Sequence, residues 1–399
     1  MIYSYLDSDK NQFKKRDLTM GLQGSKNFKV RYSPGDHFLA DVKLEVDSYL
    51  QKINDHRYGN WEQIFKLLLL LLVWGIGFSI VISAGQSIWH KLSGTVFMAV
   101  SSLLLVFNVC HDAVHNSWSK NKNINYWINT ILFSLMGMNG YLWGYRHIHA
   151  HHPYTNIDRC DPDIQENPFV RLSAVHPYRW YFKYQHIYAP FLYLFAIPHS
   201  IFWQDFERLK EKKILPLVGV VHSKIEWLFF FLAKTIYFSI YIFIPVAFGR
   251  MTFLEATILL LVMQMTTSLM FVGLLAVNHF GEESEFPVPD KAGLLNTSFS
   301  LHQLKTSTDW YPRSRFWCFW FGGANSHIAH HLFPKVSHRH YHVIASIIRS
   351  KAIEYNYPYR EVSLIGAIVT HYRFLKKLGL NSKKPIVVMP QILKTSDIL

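Results

Sequence analysis

The chain has 399 residues, half of them hydrophobic and 16% aromatic, and its 41 Lys and Arg against 27 Asp and Glu give a formal net charge of +14. Length alone allows two or three soluble domains, but the apolar residues gather in a few long runs, which argues against that organisation and for an integral membrane protein. The positive charge comes with no nucleic-acid recognition motif and no isolated basic helix, so it reads as cytoplasmic loops beside anionic lipid headgroups rather than as a nucleic-acid surface.

In chain order, residues 1–60 are mostly polar and charged and show no signal peptide, so this segment is expected to stay on the side of synthesis. The first span is predicted from about Ile64 to Ala84 and the second from about Leu92 to Cys110, each near the length that crosses a hydrocarbon core. Residues 124–143 are ambiguous. Crossing fully would put His111 and His147 on opposite faces of the bilayer, so the stretch reads as a re-entrant or interfacial helix, eased by Asn129, Gly137, Asn139 and Gly140. The aromatic stretch 187–203, with Pro190 and Pro198, reads the same way.

Two further spans are predicted from about Glu226 to Phe248 and from about Phe253 to Val277. The connectors within each pair are short, one carrying Lys91 and the other Arg250, so both pairs are helical hairpins. Most other Lys and Arg fall in the N-terminal, middle and C-terminal segments, which places all three in the cytoplasm. The expected fold is therefore all-α: four transmembrane helices in two hairpins, interfacial helices and a cytosolic histidine-rich cap. Its divisions are an N-terminal arm (1–60), a membrane domain holding the site (61–345) and a C-terminal tail (346–399). Lys234 lies inside the third span, where charge is costly and often functional, although snorkelling is open to it.

Three histidine clusters carry the chemistry: His111 and His115; His147, His151 and His152; His327, His330 and His331. At about 100° per residue, partners three or four apart share one helical face and neighbouring imidazoles can bite a metal. A lone histidine on an apolar helix is usually structural. Three such clusters, all just beyond apolar runs, are not. Neutral imidazole suits iron, copper, zinc or nickel, and eight nitrogens exceed one tetrahedral zinc site, which favours two ions. Cys110, Cys160 and Cys318 make no paired spacing and no thiolate motif, as expected of a reducing interior.

HDAVH at 111–115, HIHAHHPYTN at 147–156 and HIAHHLFP at 327–334 resemble the three histidine boxes of the membrane fatty acid desaturases. The likeness extends through LADVKLEVDSYL, GNWEQIFK, YQHIYAPFLY, EESEFPVPD, LHQLKTSTDW, GGANSHIAHHLFPKVSHRHY and YRFLKKLG, over roughly residues 30–380, and is similar to the bacterial acyl-CoA, or linoleoyl-CoA, front-end type. The resemblance implies a histidine-ligated pair of irons that uses O2 to place a C=C bond in a fatty acyl chain, linked to CoA or to lipid, in a bacterial inner membrane with the site facing the cytoplasm. It also implies a ninth ligand, taken as His279 in AVNHFGEE, with His302 the rival; His149 falls off the face of His147 and His151. Two departures stand out. The third box opens with His327 where front-end enzymes usually have glutamine, which bears on regiochemistry. No HPGG haem motif of a fused cytochrome b5 domain occurs, SPGDH at 33–37 being a passing likeness, so electrons are expected from a separate ferredoxin or cytochrome b5 type carrier.

Among acidic residues, Asp112 and Asp161 are expected to accept the remaining ring N–H of ligating histidines, with Asp158 and Asp163 also near the boxes; the bland alternative is helix capping or balancing of Arg146 and Arg159. His338, His340 and His342 alternate on the wrong period for one helical face and are not expected to ligate. Trp143, Trp310, Trp317 and Trp320 read mostly as an interfacial aromatic belt, with lining of a tunnel mouth as the alternative. The rival functions are a hydroxylase, epoxygenase or acetylenase on the same scaffold, and a non-redox zinc receptor or transporter. Against the last, the clusters lie beyond the span ends rather than at mid-membrane.

Overall fold

The computed structural model describes residues 30–380 apart from positions 84, 86, 212, 215, 216 and 219. Helix α1 (His37–Lys52) is capped by Asp36, whose carboxylate accepts from Leu39 N at 3.1 Å. Helix α2 (Trp61–Ile82) opens on a capping box: Asn60 Oδ1 accepts from Glu62 N while Gln63 Oε1 accepts from Asn60 N. Its leucine-rich run then turns back into α3 (Ile88–Val114). The two cross at Gly77 and Gly94, where a Cβ on either would lie 2.6 Å from the other's carbonyl oxygen. Only glycine lets the backbones come that close.

Residues 124–143 do not form a span. Helix α4 (Lys122–Leu135) is 14 residues long, and Asn139 Oδ1 caps a new helix, α5 (Gly140–Arg146), by accepting from Leu142 N at 2.9 Å. The stretch 187–203 is likewise broken into α6 (Gln185–Tyr193), which contains Pro190, and α7 (Ala196–His199), and a π-helical turn leads on into α8 (Asp205–Lys210). The second hairpin is α9 (Lys224–Phe248) and α10 (Phe253–Asn278), the latter started by a Thr252–Glu255 capping box.

These are the four helices among the described residues that are long and apolar enough to cross a membrane. The most apolar stretch of α3 is 67% buried, against 22% in α2 and 28% in α9, so α3 is the central span. Leu68, Leu72, Phe231 and Phe253 stand exposed on the others, as a lipid-facing surface requires. A Cβ on Gly249 would lie 3.3 Å from Ile82 Cα, so both hairpin connectors sit at one end. At the other end α3 and α10 run into the cap.

The cap is built from short helices: α11 (Phe299–Thr306), α12 (Arg315–Trp320), α13 (His327–Leu332), α14 (Tyr341–Glu354) and α15 (Leu364–Leu380). Phe38, Val42 and Val46 of α1 pack with Ile328, Ile344, Ile348 and Ala352, so segments on either side of positions 60 and 345 share one core. Two-residue parallel pairings, Arg31–Tyr32 with Leu294–Leu295 and Asp309–Trp310 with Glu361–Val362, tie the cap further.

Candidate metal centre

Four elements deliver histidines to one buried volume. Helix α3 brings His111 and leaves His115 at its end, α5 continues through a π-helical turn (His147–His151) into His152, and α13 carries His327, His330 and His331. His279 follows α10 directly. The side chains fall into two quartets, His111, His115, His147 and His330 in one and His151, His279, His327 and His331 in the other, with the nitrogens of each within 4.8 Å of one another. His152 lies between the two. Its Nε2 is 3.0 Å from His147 Nε2, and its ring stacks on His331 with centroids 4.4 Å apart.

The regular 100° rotation put His147 and His151 on one face. The structure separates them, because a π-helical turn bonds i to i+5 and so changes the angular step between neighbours. Their rings still stack, with centroids 5.4 Å apart, yet they serve different quartets.

Beneath His111 lies an apolar pocket, walled by α3, the α4–α5 turn, Ile197 and the end of α10. Trp143 lines it and stacks on His147 with centroids 4.4 Å apart, which takes it out of an interfacial belt. Trp310 also leaves the belt: it is fully buried and donates to Leu274 O at 3.2 Å.

A fatty acid desaturase family model matches residues 86–363, a stretch that contains all nine histidines. The chain belongs to the fatty acid desaturase family. It is 31% identical over 351 residues to an acyl-lipid (8-3)-desaturase of Physcomitrium patens, covering 86% of this chain and 72% of that one. An sn-1 linoleoyl-lipid 6-desaturase of Arthrospira platensis is 30% identical over 357 residues, covering 88% and 95%, and one of Synechocystis is 28% identical over 365, covering 88% and 98%.

The residues of the desaturase fit a pair of cations. The Nε2 atoms of His279, His327 and His331 form a triangle with sides of 2.7, 3.2 and 3.2 Å. An imidazole pair bonds only when one nitrogen carries a proton and the other a lone pair. Three mutual contacts cannot all meet that condition, whereas three lone pairs aimed at one ion can be satisfied together. His279 Nδ1 lies 3.1 Å from Thr306 O, an atom that only accepts, so the His279 proton sits on Nδ1 and its Nε2 is left as a donor to metal. In the other quartet, His115 Nε2 and His330 Nε2 are buried with no hydrogen-bond partner.

Burial pushes His115, His147, His152, His327, His330 and His331 well below the usual histidine range, and His279 down to about 3. These rings are neutral, as ligation requires. For His151 burial is outweighed by Asp161 and Asp163, which raise it. His151 Nδ1 faces Asp161 Oδ1 at 3.1 Å and Asp163 Oδ2 at 3.4 Å, and Asp163 in turn pairs with Arg146 at 2.6 Å.

Asp161 thus lies against a cluster histidine, whereas Asp112 turns away from the quartets. Its carboxylate accepts from Ser337 Oγ at 2.8 Å and lies 2.9 Å from His338 Nδ1, while His338 Nε2 is 2.7 Å from Lys66 Nζ. The reason is rotational: Asp112, one residue past His111, points about 100° around α3, toward the chain after the third box. Asp158 lies 3.0 Å from His176. His302 is buried against Tyr32, outside both quartets, and the His149 ring lies tilted against Tyr145 with centroids 4.9 Å apart.

Two supports were not apparent in the sequence. Thr155 Oγ1 sits 3.4 Å from His331 Nδ1 and 3.2 Å from Gln303 Oε1, and Gln303 Nε2 donates to His152 O at 3.2 Å. Tyr341 OH lies 3.4 Å from His330 Nδ1. Both Thr155 and Gln303 fall in motifs of the family resemblance, but nothing in their spacing announces a contact 148 residues apart.

Proposed function

We propose that this fatty acid desaturase holds two iron ions, one in each quartet with His152 between them, and works on a lipid-linked acyl chain. The observation that carries the reading is the pair of buried, thiolate-free imidazole quartets, one of which borders an apolar pocket through His111. Nitrogen-only sites of this kind suit iron and exclude iron–sulfur clusters. Iron there, with O2 and two electrons from a separate ferredoxin or cytochrome b5 type carrier, would supply the oxidising power to remove two hydrogens from an unactivated methylene pair.

The chain's own residues position and protect. Asp161, Thr306 O, Thr155 and Tyr341 face the Nδ1 atoms of His151, His279, His331 and His330, which turns Nε2 inward in each. Leu103, Val106, Phe107 and Phe271 offer an acyl chain a wall without hydrogen-bonding groups, and Trp143 shields the His147 side from water. The names of the relatives support a lipid-linked substrate over a CoA ester, and the positive loops support a cytoplasmic site.

The test is metal and product analysis together. Purified protein is expected to carry two irons per chain and little zinc, and expression in a host without polyunsaturated lipids should yield new C=C bonds. His115→Ala and His327→Ala, one from each quartet, should each abolish product and lower iron. Two equivalents of zinc, or normal product from either variant, would overturn the assignment.

A further inference from the structure

Lys234 lies in the middle of α9, buried at a depth where an unpaired charge is costly. All three of its donors are used: Nζ lies 2.6 Å from Gly137 O, 2.8 Å from Ile201 O and 2.9 Å from Asp205 Oδ2. Asp205 Oδ2 also accepts from Asn139 N at 3.0 Å. The ion pair therefore holds Gly137 and Asn139 of the four-residue turn between α4 and α5. That turn also packs closely against α9 itself. Gly137 has φ +77°, and a Cβ there would lie 2.7 Å from the ring of Tyr237, one turn beyond Lys234 on α9.

What the turn carries is the point. Met136 and Met138, on either side of Gly137, both line the pocket below His111. That pocket follows α3 from His111 down to Leu103, eight residues or about 12 Å of helix. Asn139 caps α5, the helix that holds Trp143 against His147. A buried ion pair within the membrane span region thus fixes, through one turn, both a pocket wall and the approach to the second histidine box.

We propose that the Met136–Met138 turn, clamped by Lys234 and Asp205, is the specificity-determining wall of this desaturase: it sets how far an acyl chain slides past His111 and so which methylene pair is oxidised. The assignment rests on the acyl-desaturase reading above. Methionine suits the task because its unbranched thioether fills the space along a flexible chain. Left alone, two methionines flanking a glycine would make a yielding wall. Charge-assisted bonds from Lys234 and Asp205 make it a stiff one.

The full-length chain, produced in a host lacking polyunsaturated lipids, provides the test, with double bonds located by mass spectrometry and iron measured on the same preparations. Met138→Ala and Met136→Ala widen the pocket, and Met138→Phe narrows it. At unchanged iron content, the Ala variants should lose discrimination between neighbouring chain lengths or bond positions by about tenfold, the low end of what one methylene decides in an apolar pocket. Met138→Phe should shift product toward shorter chains. Lys234→Met combined with Asp205→Asn removes both charges together and should broaden the product distribution in the direction of the Ala variants. Product profiles identical to the parent in all three methionine variants would sink the proposal, and an unaltered profile in the double variant would remove the ion pair from it. Absence of any unsaturated product from the parent chain would instead count against the desaturase reading itself.

Discussion

A histidine ring presents a lone pair at one nitrogen only while its proton is held on the other. Asp161 shows how this is done, since an ionised carboxylate only accepts and so keeps the proton of His151 on Nδ1. Asp161→Asn keeps the shape but weakens that bond, and metal affinity is expected to fall about 10-fold or more, the usual cost of losing such an outer partner. Competition with a chelator checks it, and unchanged affinity would show that Asp161 serves its own turn alone.

Histidines away from the quartets give a second prediction at this scale. Burial drives His302 down to about 3 and His371 to about 4. In the unfolded chain both protonate near 6.5. Below that pH the unfolded chain takes up protons that the folded one refuses, so the stabilisation is complete above about 6.5 and is lost as the pH falls toward the folded values. Metal-free protein in detergent should unfold at progressively lower temperature from pH 7 to pH 5. Replacing His302 and His371 by Gln should make that dependence shallower, by up to about 1.4 kcal/mol per pH unit for each; an unaltered slope would refute the attribution.

At the scale of elements, the spans were readable because a run of some 20 apolar residues has few other fates. Their ends were less so. The second was expected from about Leu92 to Cys110, yet α3 runs from Ile88 to Val114 and so carries His111 inside the helix. The π-helical turns at Val106–Cys110 and His147–His151 left no mark in the residue pattern, because no side chain encodes the extra residue; neighbouring elements impose it. The α2–α3 crossing is the reverse case, written in glycine. Gly77→Val would force the backbones apart at Gly94, and overpacking of this kind costs about 1–3 kcal/mol. Unfolding of the purified variant by denaturant measures it. Parental stability would mean that the hairpin can splay without loss.

For the molecule as a whole, the arrangement demands that α3 and α10 emerge on the same side and that α4 never crosses. The three native cysteines are buried, which leaves a quiet background for labelling. Cysteines placed at the exposed positions Lys120 and Lys376 should react with an impermeant reagent from one side of sealed vesicles, and a cysteine at exposed Arg250 from the other. Matching reactivity at 120 and 250 would dismantle the two-hairpin topology.

Read alone, the order of amino acids was enough to assign the family, the four spans and the three histidine clusters that the fold gathers, because these depend on local composition and on spacing within a single helix. Packing made the remaining choices. It divided His147 from His151, admitted His279 to a quartet and left His302 outside, and sent Asp112 to His338 and Lys66. Each of those outcomes turns on contacts between segments dozens to hundreds of residues apart, set by how two hairpins and a cap close on one another, and a periodicity that reports only which way a side chain leaves its own helix carries no information about what it meets there.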